Sequence, residues 1–457
     1  MPGARGDDRR EIAGWLVYDW ANSAFQTTVI TVLIGPYLTD LAQRDVGRNG
    51  VVAHLGFFGS ITATSLFHFC IAASVFLQVL LLPLLGAIAD YSHAKKRLMI
   101  WFCYAGVVAT CLLFFVTDQR YLIGGLLLIV ANFAFGVTIV LYNAFLNDIT
   151  AGEERNSVSS QGYAVGYLGG GLLLAANLAL LTGSDRLGIS TGMAVRLSLL
   201  SAGVWWGGFA LITFARLRTR AARRTPPRNR SYLAIGLAEL GVVWRQLRQL
   251  PHTRRYLVAY MAFNDAIQTV ISVASVFLAQ ELFVARGLPT SESFLIGIVL
   301  MVQFVAVGGA LVFERIAVLV NTKNAILLSL ILWTAVVVYA YGFLETVTQA
   351  WVMGAVLATV LGGSQALSRS LYSRMIPAGH EATFFGLYEI TERGTSWIGP
   401  FVFGVVVSAT GSYRQAILSL VVLFLAGMFV LVFTDTERAI LDATRHRTLG
   451  VPEVADA

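Results

Sequence analysis

Long apolar runs alternate with short polar breaks along almost the whole chain. The runs fall near residues 13–39, 61–89, 98–117, 121–146, 158–182 and 195–215. After a long polar connection they resume near 255–284, 293–313, 324–344, 348–371, 383–409 and 414–434. A helix needs about 20 apolar residues to cross the hydrocarbon core of a bilayer. The pattern therefore predicts an all-α integral membrane protein with about twelve transmembrane helices.

The pattern also repeats. Asn22-Ser23-Ala24-Phe25-Gln26-Thr27 in the first run returns in the seventh as Asn264-Asp265-Ala266-Ile267-Gln268-Thr269, a shift of 242 residues from Gln26 to Gln268. Ile149-Thr150-Ala151-Gly152-Glu153-Glu154 returns as Ile376-Pro377-Ala378-Gly379-His380-Glu381. Two matches in the same order predict two pseudo-symmetric six-helix bundles, residues 1–215 and 254–437. Between them lies a basic cytoplasmic linker with an amphipathic helix, 216–253, and after them a cytoplasmic tail, 438–457. Both copies of the first repeat place amide or carboxyl groups inside membrane-length segments, which points to a polar path between homologous bundles.

Composition agrees with a membrane protein. Mean hydropathy is +0.70 and only 13% of the 457 residues are charged, against about a quarter in soluble domains. The net charge of +7 forms no separate basic domain and gives no sign of a nucleic-acid partner. Its cations gather at Arg5, Arg9 and Arg10, at Lys95, Lys96 and Arg97, between Arg216 and Arg255, and at Arg438, Arg445 and Arg447. All of these fall on one side of the predicted spans, so the positive-inside rule puts both termini and the middle loop in the cytoplasm. Cys70, Cys103 and Cys111 lie in apolar runs without CxxC spacing, and no metal or cofactor is expected.

In the middle loop Leu233, Leu237, Leu240, Trp244 and Leu247 recur at steps of four and three, with Pro251 closing the segment. This predicts a helix that either lies on the membrane surface or packs under the bundle.

The candidate chemistry lies where ionisable groups enter the spans. Asp265 is about ten residues into the seventh, where an ionised Asp costs about 2.5–3.5 kcal/mol. It must face a wet cavity, pair with a cation, hold a proton, or serve a hydrogen-bond network between helices. Asn264 and Gln268 share its surroundings, and Asn22 and Gln26 are their counterparts in the first run; amides that both donate and accept suit a polar solute. Asp19 is shallower and reads as a gate pair, a helix-end contact or a substrate contact.

The eleventh run is the most polar, from Tyr388 through Glu389, Glu392 and Arg393. The four-residue step from Glu389 to Arg393 allows a pair along one face, either static or exchanging Arg393 for a proton or a substrate charge. Arg369 at the end of the tenth run reads as an anion contact, a gate or a snorkelling arginine. Gly162, Gly166 and Gly170 in the fifth run read as close helix packing. No nucleotide loop, HExxH or GxSxG sequence occurs in the chain, and no catalytic role is expected.

Gly86-Ala87-Ile88-Ala89-Asp90, followed by Lys95-Lys96-Arg97, resembles the signature loop of the major facilitator superfamily, in which such an Asp and its basic neighbours latch the cytoplasmic gate. Tyr91 and His93 stand where an Arg and a Gly usually follow. Tyr18-Asp19-Trp20-Ala21-Asn22-Ser23-Ala24-Phe25, Asn264-Asp265-Ala266-Ile267-Gln268-Thr269, Gln365-Ala366-Leu367-Ser368-Arg369-Ser370 and Phe384-Phe385-Gly386-Leu387-Tyr388 are similar to the autophagy-related vacuolar amino-acid effluxers and their bacterial relatives, over the whole chain. In such proteins position 393 is basic, as Arg393 is, while Glu392 replaces an expected small residue.

These readings together predict a secondary active transporter, not an enzyme, that exports a small polar solute such as an amino acid by alternating access with protons, or else sodium, as the coupling ion. Asn22, Gln26, Asn264, Gln268, Tyr388 and Arg393 are the expected substrate contacts. Asp265, Glu389 and Glu392 are the expected proton carriers, and Asp19, Asp90, Lys95, Lys96, Arg97 and Arg369 the expected gate. Membrane lipids are its other partner. A lipid or amphiphile flippase, a drug exporter, or a receptor or scaffold that binds without cycling are the alternatives.

Overall fold

Residues 5–46 form one uninterrupted helical run whose hydrogen-bond pitch changes midway. α1 (Arg5–Ala24) passes into a π-helical turn, Phe25–Leu33, and then into α2 (Ile34–Val46). The cause is local. Pro36 has no N–H to offer the carbonyl four residues back, and its ring crowds that carbonyl. Widening the preceding turns relieves the clash. A β-hairpin follows, β1 (Val51–His54) against β2 (Ser60–Thr62), so the second apolar run, expected from 61, becomes helical only at Leu66.

The remaining helices are α3 (Leu66–Tyr91), α4 (Lys95–Leu112), α5 (Tyr121–Ile149), α6 (Glu154–Thr182), α7 (Thr191–Arg216), α8 (Pro251–Leu282), α9 (Glu292–Val320), α10 (Thr322–Gly342), α11 (Val347–Arg374), α12 (Glu381–Arg393), α13 (Ile398–Thr410), α14 (Tyr413–Ser419), α15 (Val421–Val432) and α16 (Thr436–Leu449). This computed structural model describes residues 5–47, 50–54, 60–91, 95–152, 154–218, 241, 243, 245–289, 291–393 and 398–449.

Among the described residues ten helices are long and apolar enough to cross a membrane. The two other expected spans are α1–α2, which carries Asp19, Asn22 and Gln26, and α12–α13, which carries Tyr388, Glu389, Glu392 and Arg393. α12 and α13 have 13 residues each, short of the length a single span needs. The exposed surface of the spans is apolar, with Trp101, Leu126, Val204, Leu211, Val312 and Phe429 all more than 45% accessible, an inversion of soluble proteins that fits a lipid-facing wall.

The chain divides into two compact units. One comprises Met1–Leu82, His93–Tyr142 and Val165–Ala221; the other comprises Pro83–Ser92, Asn143–Ala164 and Ala222–Ala457. In the first, Trp15 stacks on Tyr142 at 4.3 Å and its indole N–H donates to the Tyr142 carbonyl at 2.9 Å. Glycines on α6 let α1 approach closely: a Cβ at Gly169 would lie 2.7 Å from the Trp20 carbonyl oxygen, and one at Gly170 would lie 2.9 Å from Thr27 Oγ1.

The second unit is centred on Trp333 stacked on Phe424 and on a group of buried tyrosines, Tyr256, Tyr260, Tyr372 and Tyr388. Most of the middle-loop helix lies outside the described residues. Of its described part, Val243 and Leu247 are buried and Gln246 bonds His380 at 3.1 Å. This end of the segment is packed against protein.

Candidate functional site

α12 begins under the side chain of Asp90. One carboxylate oxygen accepts the N–H of Ala382 at 2.9 Å; the other accepts the N–H and hydroxyl of Thr383 at 2.8 and 2.7 Å. These N–H groups are orphans of the helix start, and an anion there also meets the positive end of the helix dipole. A Cβ at Gly86 would collide with the carbonyl of Ala382. Thus the Gly86–Asp90 motif lets the end of α3 touch and cap α12. Lys96 donates to the Leu217 carbonyl at the end of α7 at 2.7 Å, while Lys95 is half-buried and Arg97 exposed.

Two turns into α12, Glu389 is buried and receives Arg393 Nε at 2.9 Å. The pair expected from its spacing is present, and Asn143 of α5 approaches the other Glu389 oxygen at 3.5 Å. Asn143 also links to Arg369 of α11, at 3.4 Å from Nη1. Arg369 is only 3% exposed. It donates to Ser159 Oγ and to the Ser159 carbonyl, each at 2.9 Å, and covers the ring of Tyr163 at 4.3 Å. It is therefore no snorkelling side chain; it binds the first turns of α6 to α11. Glu392 accepts the hydroxyl of Tyr260 at 2.9 Å, and Tyr388 stacks on Tyr260 at 4.2 Å.

Asp265 on α8 is buried, and one of its oxygens accepts the N–H of Gly399 at 2.7 Å, in the first turn of α13. Only glycine permits that approach, because a Cβ at 399 would strike the hydroxyl of Thr269. The other oxygen of Asp265 has no hydrogen-bond partner among the described residues. Neighbouring Asn264 is buried with its amide nitrogen unpartnered, and so is its repeat counterpart Asn22 on α1. Gln268 is half-buried, and Gln26, in the π-helical turn, is exposed. Asp19 accepts the hydroxyl of Tyr142 at 2.7 Å.

Sequence reasoning did not single out Asn143, Ser159, Tyr163, Tyr260 or Tyr372. The only signal was the polarity of Asn143 within an apolar run. Among the described residues no group of three or more His, Cys, Asp or Glu side chains is placed to hold a metal ion.

Membrane-length helices with buried, partly unsatisfied polar groups suit a transporter, and relatives in sequence put the chain among transporters of the major facilitator type. The fucose transporter FucP in its outward conformation superimposes with a TM-score of 0.68 over 93% of this chain and 98% of its own, at 12% identity. The human organic anion transporter MFSD10 gives 0.67 over 94% and 100%, at 14% identity. The MFS-type transporter YxiO of Bacillus subtilis is 30% identical over 93% of this chain and 94% of its own length. Autophagy-related protein 22 of Yarrowia lipolytica is 27% identical over 86% and 79%. The profile described as vacuole effluxer Atg22 like matches residues 7–444, and the chain belongs to that family.

Proposed function

We propose that the protein is a proton-coupled exporter of small polar solutes of the amino-acid class, working by alternating access between halves 1–215 and 254–437 in a bacterial inner membrane, with both termini cytoplasmic. The observation that carries this reading is the set of carboxylates on α8 and α12. Glu389 is buried against Arg393, Glu392 meets a phenol, and Asp265 has one oxygen on a helix N-terminus and the other without a hydrogen-bond partner among the described residues. Carboxylates kept at such depth mark proton or substrate pathways rather than scaffolding.

The effluxer description of the family supports export, and the Bacillus relative supports a bacterial membrane. In this reading Asp265, Glu389 and Glu392 exchange protons, and Asn22, Gln26, Asn264, Gln268, Tyr388 and Arg393 contact the solute. Asp90 and Arg369 hold the gate together with Asp19 and Lys95–Arg97. The test is flux of a labelled amino-acid panel in proteoliposomes under imposed pH or sodium gradients. Accumulation driven by pH alone is expected; flux driven only by sodium, or absent for every solute, overturns the proposal.

A further inference from the structure

Tyr256, Tyr260, Asn264 and Gln268 recur at steps of four along α8 and share one of its faces. On α12, Tyr388 and Glu392 recur at the same step. The two stripes meet. The rings of Tyr388 and Tyr260 stack at 4.2 Å with 19° between planes, and the Tyr260 hydroxyl donates to Glu392 Oε2 at 2.9 Å. Tyr372 of α11 continues the stack on Tyr388 at 5.0 Å and 22°. The phenols are thus held in place before any ligand arrives.

Polar groups here outnumber their partners. The hydroxyl of Tyr388, 1% exposed, lies within electrostatic reach of Glu392 and close to the Tyr260 hydroxyl, but makes no hydrogen bond of good geometry among the described residues. Neither the amide nitrogen of Asn264 nor the second oxygen of Asp265 makes one. Glu392 is half-buried and met by one phenol, whereas Glu389, three residues earlier, has Arg393. Both guanidiniums of the region are engaged, Arg393 on Glu389 and Arg369 on Ser159, Asn143 and Tyr163. What the face offers is the Glu392 carboxylate, an acceptor carrying charge, beside the Tyr388 hydroxyl and the Asn264 amide, neutral groups of which the first both donates and accepts and the second donates; among the described residues it offers no uncommitted cation. An ammonium carries three donors and a positive charge. A solute anion would add repulsion from Glu392.

We propose that Glu392, Tyr260 and Tyr388 form an ammonium subsite, so that a protonated amine is the determinant of recognition and the carboxylate of an amino acid is dispensable. This rests on the transporter reading above and names its substrate class. It is tested by binding rather than flux, with the purified full-length protein and matched trios: an amino acid, the amine left when its carboxylate is removed, and the acid left when its amine is removed. Amino acids and amines, but not acids, should raise the unfolding temperature at neutral pH. Glu392→Gln should weaken amine binding by about tenfold or more, as expected for losing a hydrogen bond to a charged group. Tyr388→Phe, which keeps the stack, should weaken it less.

Acids binding in preference to amines, amines binding wild type and Glu392→Gln alike, or no member of any trio binding would each overturn the inference. Amine binding that depends on Glu392 but is never accompanied by flux would uphold the subsite and defeat the transport reading. Flux of acids alone would do the reverse.

Discussion

Asp265 differs from the other buried carboxylates in what satisfies it. Glu389 has a guanidinium within 2.9 Å, whereas Asp265 has one backbone N–H and an oxygen left over. Such a group is tolerated either because it holds a proton for part of the cycle or because its partner comes and goes. Asp265→Asn separates structure from titration. The amide oxygen still accepts the Gly399 N–H, and the amide nitrogen takes the place of the orphan oxygen. The variant should fold with an unchanged elution profile and unfolding temperature while losing pH-driven flux; pH-driven flux at the wild-type rate would remove Asp265 from the coupling mechanism. The sequence made Asp265 and the Glu389–Arg393 pair legible, because an ionisable residue inside an apolar run and a four-residue step are both local signals. It could not disclose Arg369's partners, since Ser159 and Asn143 lie more than two hundred positions away. Tyr388 stood out through its polar neighbours, but Tyr260 and Tyr372 did not, because an aromatic in a span is ordinary until its neighbours on other helices are known.

Among the helices, close approach and capping decide how far each element tolerates change. On α6, a Cβ at Gly169 would press on the Trp20 carbonyl oxygen and lie 3.1 Å from the Trp20 Cα, both backbone atoms that cannot rotate away. Gly404 on α13 has nothing within 4 Å. Gly169→Ala should therefore destabilise by about 1–3 kcal/mol, the usual range for overpacking. Gly404→Ala should be neutral or raise stability by up to about 1 kcal/mol through helix propensity. Thermal unfolding of the two variants side by side checks this; equal effects would mean that α1 and α6 are not in tight contact. The glycine spacing on α6 announced close packing in advance, but not which helix would fill the groove.

α16 carries a pH dependence of its own. Asp435 caps it, accepting the N–H of Arg438 at 2.9 Å, and this bond, with His252 nearby, holds the carboxyl below its ordinary 3.8. A depressed value means the cap stabilises the helix above the unfolded-chain value and is lost as pH falls through the lowered one. Hydrogen exchange across residues 436–449 should accelerate below pH 3.8 in the wild type. Asp435→Asn should remove that acid sensitivity, and an identical acid response in the variant would show that another group controls the helix end.

At the scale of the whole chain, the duplicated sequence and the contact pattern divide the molecule differently, and the difference has a mechanical meaning. The sequence repeats predict a division between residues 1–215 and 254–437. The compact unit built around α8–α16 nevertheless also takes in Pro83–Ser92 and Asn143–Ala164 from the earlier half. Within that unit the joining contacts are polar and specific: Asp90 on the start of α12, Arg369 on Ser159, and Asn156 of α6 held between Ser370 at 2.6 Å and Thr322 at 2.9 Å. Hydrogen bonds between well-satisfied side chains contribute about 1 kcal/mol each, so a handful can be broken and remade within a transport cycle, where a continuous apolar interface could not. If the halves rock, these bonds must open. Asn156→Cys with Ser370→Cys, in a background where Cys70, Cys103 and Cys111 are replaced by alanine, places two thiols at one such contact. Oxidation or a short thiol crosslinker should stop flux, and reductant should restore it. Undiminished flux at complete crosslinking would mean that α6 and α11 stay together throughout turnover, and the moving boundary would then have to be sought elsewhere in the bundle.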